Sequence, residues 1–283
     1  MISIIIPAHN EEQVIGAALN EYVNAAKEGL LEVIVVCNGC TDSTASVARS
    51  FGLAIRCLET EIPSKSRALN LGDNAASGYP RFYQDADVVL TLEAVQQVSQ
   101  SLDSGFFLAA APAMRMEFGE ASWPVRAYYT VWQQLPYVRE GMIGVGVYAL
   151  SEKGRKRFES FPEIIADDGY IRRLFQPQER TAVNSCVASV RAPLNLKGLL
   201  KIKTRSRLGG YELGKKFPDL MRNEKKRYGD ALLQIVSNAA LWPQVPVYLF
   251  VNLLARIRAR RHFQHYGFVG WERDESSRKG RRK

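Results

Sequence analysis

Asp85-Ala86-Asp87 sets two carboxylates one residue apart, between the short run at 81–84 and the apolar Val88-Val89-Leu90. Carboxylates on a chain leaving a sheet edge can converge on a divalent cation and on the polyol or phosphate oxygens beside it. The spacing is common by chance, and a solvated turn is the competing reading until other loops are shown to share its edge. Cys37-Asn-Gly-Cys40 is the other compact constellation. A C-x-x-C that follows a strand and opens a helix is the context of thioredoxin-like redox motifs, where the helix dipole lowers a thiol pKa. That alternative leaves Asp85, Asp87 and the loop at 7–11 without a purpose and offers no second cysteine pair for zinc. Cys37 is expected to pack as a small hydrophobe.

The elements that must carry these groups alternate between the two periodicities. Residues 2–6 form a β-branched apolar run suited to a strand buried on both faces. A loop through Pro7, Asn10 and Glu11 leads into a helix predicted over 14–26, with Gly29 as its stop. Residues 33–36 are the second strand, and Asp42 or Ser43 can cap the helix that follows. A strand near 53–57, a helix around 66–76 and a strand at 81–84 complete the approach to the aspartates. Strict succession of strand and helix implies a parallel sheet with helices on both faces, and ligands of such sheets lie beyond the strand carboxyl ends. Glu11, then Asn38 and Asp42, then Asp85 and Asp87 would therefore share one edge. No loop has dinucleotide or Walker-type glycine spacing, so those phosphate sites are disfavoured.

With 283 residues, 46% hydrophobic and 24% charged, the chain can build a sizeable core. Its net charge of +9 is concentrated late, at Lys197, Lys201, Lys203, Arg205, Arg207, then 256–261 and the tail 278–283. This suits a diphosphate, a polyanion or a membrane surface. Nucleic acid is not expected as a partner, because no aromatic platform is interleaved with the basic residues, although a basic nucleic-acid-binding protein is the non-enzymatic alternative. Four cysteines and an N-terminus without a basic region, broken early by Pro7, fit a reducing, cytoplasmic location.

In order, Ile4-Ile-Ile-Pro7-Ala-His-Asn10-Glu11, Val35-Val-Cys-Asn38-Gly39-Cys40-Thr41-Asp42, Lys65-Ser-Arg67-Ala68-Leu69-Asn70 and Asp85-Ala-Asp87 resemble the inverting family-2 glycosyltransferases of the GT-A fold. The resemblance covers about the first hundred residues. It implies an α/β, Rossmann-like, mostly parallel sheet flanked by helices, with residues 1–110 binding a nucleotide-diphosphate sugar, UDP being the expected nucleotide. Glu11 and Asn38 would lie at the base and ribose, Lys65 or Arg67 near the nucleotide, and Asp85 near ribose and sugar, with Pro7 and Asp42 also in the nucleotide-sugar site. Asp87 would ligate Mg2+ or Mn2+. Many relatives carry an aspartate where this chain has Asn38, a departure that bears on which base is accepted.

The same resemblance implies that residues 111–234 supply acceptor recognition and the base. An acidic pair in the family opens a helix below the anomeric carbon, and its second member is the base; Asp167-Asp168 matches it, with Asp168 as the base. Read alone, the pair would cap the helix that follows. Gly144 and Gly146 resemble the small residues of the acceptor-side strand. Lys201, Lys203, Arg205 and Arg207 alternate at period two, which predicts one side of an extended segment able to close over a diphosphate or an anionic lipid carrier, with Lys201 and Arg205 as donor-binding candidates. Neither His9 nor the His262 and His265 pair is expected to bind metal.

Residues 239–255 are the most apolar stretch and are followed by the arginines at 256–261. Pro243, Gln244, Pro246 and Asn252 interrupt it, and it is shorter than the 20 or so apolar residues a span requires. A monotopic helix beginning near Pro246, with its arginines toward anionic headgroups, is expected within a membrane-associating extension over 235–283. A weak span and a plain core helix are the alternatives. The acceptor would then be a hydroxyl on a lipid-linked or other polysaccharide precursor at the cytoplasmic face.

Overall fold

A computed structural model describes residues 1–142, 144–223 and 237–268. The chain runs β1 (Ile2–Ala8), α1 (Ile15–Asn20), α2 (Val23–Lys27), β2 (Leu31–Asn38), α3 (Thr44–Arg49), β3 (Ile55–Thr60), α4 (Lys65–Ala75), β4 (Arg81–Gln84) and α5 (Leu92–Asp103). It continues through β5 (Ala109–Glu117), α6 (Trp123–Trp132), α7 (Pro136–Arg139), β6 (Val147–Leu150), α8 (Glu152–Arg155), α9 (Asp167–Leu174), β7 (Arg180–Arg191), α10 (Leu196–Lys216) and α11 (Val245–Tyr266).

One seven-stranded sheet has the order β3-β2-β1-β4-β6-β5-β7. β1 pairs in parallel with β2 and β4, and β2 with β3, so the carboxyl ends of these strands share an edge. β6 runs antiparallel to β4 and β5 and delivers its amino end to that same edge. Alternation through β1 and β2 sends Ile4, Ile6, Val33 and Val35 to one face, against Ile15, Leu19, Ala48 and Val95 of α1, α3 and α5. Ile5, Ile34 and Val36 face the other side, with Ala68, Leu69, Ile171 and Leu213 of α4, α9 and α10. Burial on both faces is why these strands read as unbroken β-branched runs.

Several expectations are corrected. The helix predicted over 14–26 is two helices: the Glu21 and Tyr22 N–H groups donate to the Ala18 and Leu19 carbonyls, three residues back, and the buried Tyr22 hydroxyl donates to Gln84 Oε1 at 2.7 Å. The strand near 53–57 begins only at Ile55; residues 52–54 form a 3-10 turn. The basic run at 201–207 is helical, not extended. Asn195 caps α10 by accepting from the Gly198 N–H at 2.9 Å, and Leu199, Leu200 and Leu208 are buried at helical spacing. Period-two cations then fall into two i, i+4 rows, Lys201 with Arg205 and Lys203 with Arg207.

α11 begins one residue before Pro246, as expected, and packs on α6 and α10 through Val251, Ala255 and Ala259. Leu249, Phe250, Leu253 and Ile257 stay exposed. Among the described residues no helix is long and apolar enough to cross a membrane. The tail from 269 and the segment 224–236 lie outside the described residues.

Candidate active site

The turn that leaves β4 is built by its own backbone. The Val88 N–H donates to the Asp85 carbonyl at 3.1 Å, and the Gln84 amide donates to the Val88 carbonyl at 2.9 Å. Buried Ala86 anchors the turn while Asp85 and Asp87 stay partly exposed. The Asp85 N–H donates to the Gly146 carbonyl at 2.7 Å, tying the turn to the mouth of β6. Gly146 has φ +70°, and a Cβ there would stand 2.6 Å from Val88 Cγ2 and 3.2 Å from Asp85 Oδ2. Gly146→Ala is expected to lose about 1–3 kcal/mol from left-handed backbone and steric displacement. It should also weaken nucleotide binding by moving Asp85, which calorimetric melts and nucleotide titration check.

Lys65, the first residue of α4, makes the connection that the sequence could not show. Its Nζ stands 2.7 Å from Asp85 Oδ1 and 3.1 Å from Asp167 Oδ1. Burial opposes its charge, but the Asp167 and Asp85 carboxylates outweigh burial and push the ammonium pKa up. Asp167, the first residue of α9, is 4% exposed, and its Oδ2 is buried with no hydrogen-bond partner among the described residues. Asp168 follows it, accepting from the Gly169 N–H at 2.7 Å. Burial, and then the neighbouring Asp167, push the Asp168 carboxyl above its ordinary value, with Lys65 pulling the other way. The start of α9 is seated by the Ile165 N–H donating to Glu212 Oε2 at 2.8 Å, and by Gly209, where a Cβ would meet Ala166 Cβ at 2.8 Å.

The loops after β1 and β2 are stitched to each other. The Asn38 amide donates to the Ala8 carbonyl at 2.8 Å, the Thr41 N–H to Asn10 Oδ1 at 2.8 Å, and the Glu12 N–H to Asp42 Oδ2 at 3.1 Å. Glu11 and Asn38 are buried, and Pro7 lies within β1 opposite Val36. Burial would raise the Asp42 carboxyl, yet the Thr44 hydroxyl and N–H and the Glu12 N–H hold it below its ordinary value.

Of the two cations proposed for the nucleotide, the structure brings Lys65 to the aspartates and engages Arg67 in an exposed pair with Glu163 at 2.6 Å. Lys201 and Arg205 ride on α10. Gly144, at φ +68°, abuts Trp132, whose Cη2 would lie 2.9 Å from a Cβ. The His9 Nδ1–H donates to the Asn38 carbonyl at 2.6 Å. Tyr148 carried no sequence signal, and Lys203 was singled out only as one of a basic run. Tyr148 is buried with a hydroxyl that has no partner among the described residues, its pKa raised first by burial and then by Asp167. Lys203 lies over the rings of Trp132, Tyr129 and Tyr128 at 4.2, 4.8 and 5.0 Å, and burial, then Arg207, lower its ammonium to about 7.

The cysteines are free, and Cys37 packs in the core as the small hydrophobe expected. Cys37 is buried with its Sγ 4.0 Å from Cys57, across β2 and β3, and the Cys40 thiol donates to the Ala8 carbonyl at 3.4 Å. The Cys57 thiol and burial push Cys37 up, the reverse of an activated thiolate. Among the described residues no group of three or more His, Cys, Asp or Glu could hold a metal by itself.

The family model for glycosyl transferase family 2 matches residues 3–156, which includes both strand-end loops, Lys65, Asp85, Asp87 and Gly146. The chain belongs to that family. Its fold is GT-A-like. A mannosyltransferase from Pyrobaculum calidifontis, solved with GDP-Man and Mn2+, is similar over 93% of this chain and 75% of its own, at 20% identity and TM-score 0.59. Glucosyl-3-phosphoglycerate synthase from Mycobacterium tuberculosis, solved with Mn2+, UDP and phosphoglyceric acid, is similar over 76% of this family-2 chain and 78% of its own, at 19% identity and TM-score 0.56. TarS from S. aureus, in complex with UDP, covers 95% of this chain and 73% of its own, at 15% identity and TM-score 0.53. No curated protein matches the sequence significantly.

Proposed function

We propose that this family-2 glycosyltransferase is an inverting, metal-dependent hexosyltransferase that moves a sugar from a nucleotide-diphosphate donor, UDP first among them, to an acceptor hydroxyl. The observation that carries the reading is the Lys65 ammonium, which joins Asp85 of the donor loop to Asp167 of the acidic pair within 2.7 and 3.1 Å. Donor loop and acidic pair are thereby one site. Residues 1–110 serve the donor, 111–234 the acceptor and the base, and 235–283 the membrane.

Glu11, Asn38 and Asp42 shape the base and ribose pocket, Asp85 takes ribose and sugar hydroxyls, and Gly144 and Gly146 leave room for the acceptor. Asp168 accepts the proton of the acceptor hydroxyl as its oxygen bonds to the anomeric carbon. The opposite bond, to the diphosphate oxygen, breaks with its electron pair on the leaving group. Lys65 holds Asp85 and Asp167 in place and offsets the negative charge that gathers there. Asp87 is a hard oxygen donor on a partly exposed turn and would hold Mg2+ or Mn2+ beside the diphosphate. The metal, when bound, neutralises charge on the departing diphosphate.

The exposed Leu249, Phe250, Leu253 and Ile257, with the arginines at 256–261 further along α11, support an interfacial seat on an anionic membrane and a lipid-linked or polysaccharide-precursor acceptor. Thermal melts with UDP-, GDP- and dTDP-sugars, with and without Mn2+, test the donor, since a ligand at 100 times its Kd stabilises by about 2.7 kcal/mol. Asp87→Ala is expected to abolish the Mn2+-dependent part of the shift. An unchanged shift would remove the metal from Asp87.

A further inference from the structure

At the acidic pair two buried side-chain oxygens have no hydrogen-bond partner among the described residues, Asp167 Oδ2 and the Tyr148 hydroxyl. A carboxylate oxygen can only accept, and a phenol can donate. Tyr148 follows Gly146 by two residues on β6, in register with Tyr83 of β4, and the two rings stack with centroids 5.2 Å apart. Tyr83 is itself engaged. Its hydroxyl donates to Asp73 Oδ1 at 2.5 Å, and Arg81 and Arg155 hold the two Asp73 oxygens at 2.7 and 2.6 Å. The hydroxyl left over in the stacked pair is that of Tyr148. Of the carboxylates that act on it, Asp167 acts most strongly, ahead of Asp168 and Asp85. Burial and that negative charge keep the phenolic proton in place, so the hydroxyl is a donor at the floor of the acidic pair.

Leaving both oxygens unmet would be costly, because each loses hydration that the protein does not replace. Each side chain is already fixed from another side, the ring by its stack on Tyr83 and the carboxylate by Lys65, which draws Oδ1 at 3.1 Å. One water that accepts from the phenol and donates to Oδ2 satisfies both without moving either.

We propose that Tyr148 is a positioning residue for the acidic pair, acting through one buried water on Asp167 Oδ2. With Lys65 at Oδ1 and the water at Oδ2, the Asp167 carboxylate has a donor on each oxygen and its plane is fixed. In the transferase reading, on which this role depends, Asp168 is then the member left to take the acceptor's proton, its Oδ1 oriented by the Gly169 N–H. The division of labour within the pair is set from β6, two residues beyond the glycine that touches Asp85. Tyr148 itself touches no substrate.

Tyr148→Phe removes the hydroxyl and keeps the ring, and Asp167→Asn removes the charge that it serves. A cycle of both in the full chain tests the link. Tyr148→Phe is expected to lower the melting temperature by about 2 °C or more, since a bridged hydroxyl is lost. In the Asp167→Asn background the same change should cost less than about half as much. UDP with Mn2+ should bind Tyr148→Phe as it binds the wild type. Turnover is read as nucleoside diphosphate released from UDP-glucose or GDP-mannose, whichever stabilises the wild type, with water as the acceptor. Tyr148→Phe should lower kcat roughly tenfold or more while KM for that donor stays within about twofold, a split that loosening of the fold would not give. A higher melting temperature for Tyr148→Phe would mean that the hydroxyl stands unsatisfied, and an equal loss in both backgrounds that it serves another group; either overturns the proposal. So does an unchanged kcat. If neither nucleotide sugar stabilises the wild type with Mn2+, the transferase reading fails instead, and the melting cycle, which needs no donor, still decides the link from Tyr148 to Asp167.

Discussion

Asp168→Asn is expected to cut sugar transfer by about 10²–10⁴-fold or more while nucleotide binding persists. The amide is isosteric and can still accept from the Gly169 N–H, so the start of α9 keeps its geometry, but it cannot take a proton. The wild-type carboxyl has a raised pKa, caused by burial and then by Asp167. kcat/KM should therefore fall on the acid side with an apparent pKa above the ordinary aspartate value of about 3.9. The sign for stability runs the other way. A carboxyl whose folded pKa is raised stabilises the fold below its unfolded pKa, and that contribution is lost as pH rises through the folded value. Above its folded pKa the ionised Asp168 is a cost, so Asp168→Asn should gain in melting temperature over the wild type as pH rises, with the advantage disappearing in acid. Retained turnover would move the base to Asp167 or elsewhere; a lower melting temperature at pH 7 would make the carboxylate structural.

Lys65→Met should be the most damaging single change in the site. It leaves Asp85, Asp167 and Asp168 without their cation, and Asp167 already has a buried oxygen with no partner among the described residues. Removing one partner of a buried pair costs about 3–5 kcal/mol, and because Lys65 and Asp85 are each partly open to solvent the expected loss is about 2–4 kcal/mol. Without Lys65 the Asp168 carboxyl, already raised by burial and Asp167, loses the charge that pulls it down, so the variant should regain stability as pH falls from neutral, which denaturant midpoints across that range would register. Lys65→Met combined with Asp167→Asn should recover most of the loss, because the repulsion has been removed from both sides. If the double variant is no more stable than the single one, the ammonium does not serve Asp167.

Much of the donor side was legible because its signals are local. The strand at 81–84 is seen at the predicted residues, the helix predicted around 66–76 runs from Lys65 to Ala75, and the unbroken apolar runs gave β1 and β2 their place in the interior. Tertiary demand governed what was missed. Nothing near residue 22 announces that Tyr22 must reach Gln84, or that the first helix tightens there to bonds three residues apart. The cations of α10 alternate as a strand would, but Leu199, Leu200 and Leu208 outweigh them, since buried apolar area decides the element and solvated charges do not. The bond from Lys65 to Asp167 joins residues far apart in the chain and has no sequence signature at all. Lys65 and Arg67 were equivalent candidates in the sequence, and helix geometry separated them: only the first residue of α4 reaches the strand ends, while Arg67 pairs with Glu163.

The reversed course of β6 has a consequence for how such a chain can diversify. Parallel strands present the loops that follow them, but β6 presents the one that precedes it. Length added before Val147 would reshape the mouth beside Asp85. The same addition after Leu150 would emerge at the opposite edge, where the Ser151 N–H meets the Leu108 carbonyl at 3.0 Å. On the proposed reading, donor and acceptor preferences lie in separate stretches of chain that meet at a seam, the hydrogen bond from the Asp85 N–H to the Gly146 carbonyl. Because that seam is backbone to backbone, it asks little of the side chains on either side, and new acceptors can be acquired with the nucleotide loops left as they are.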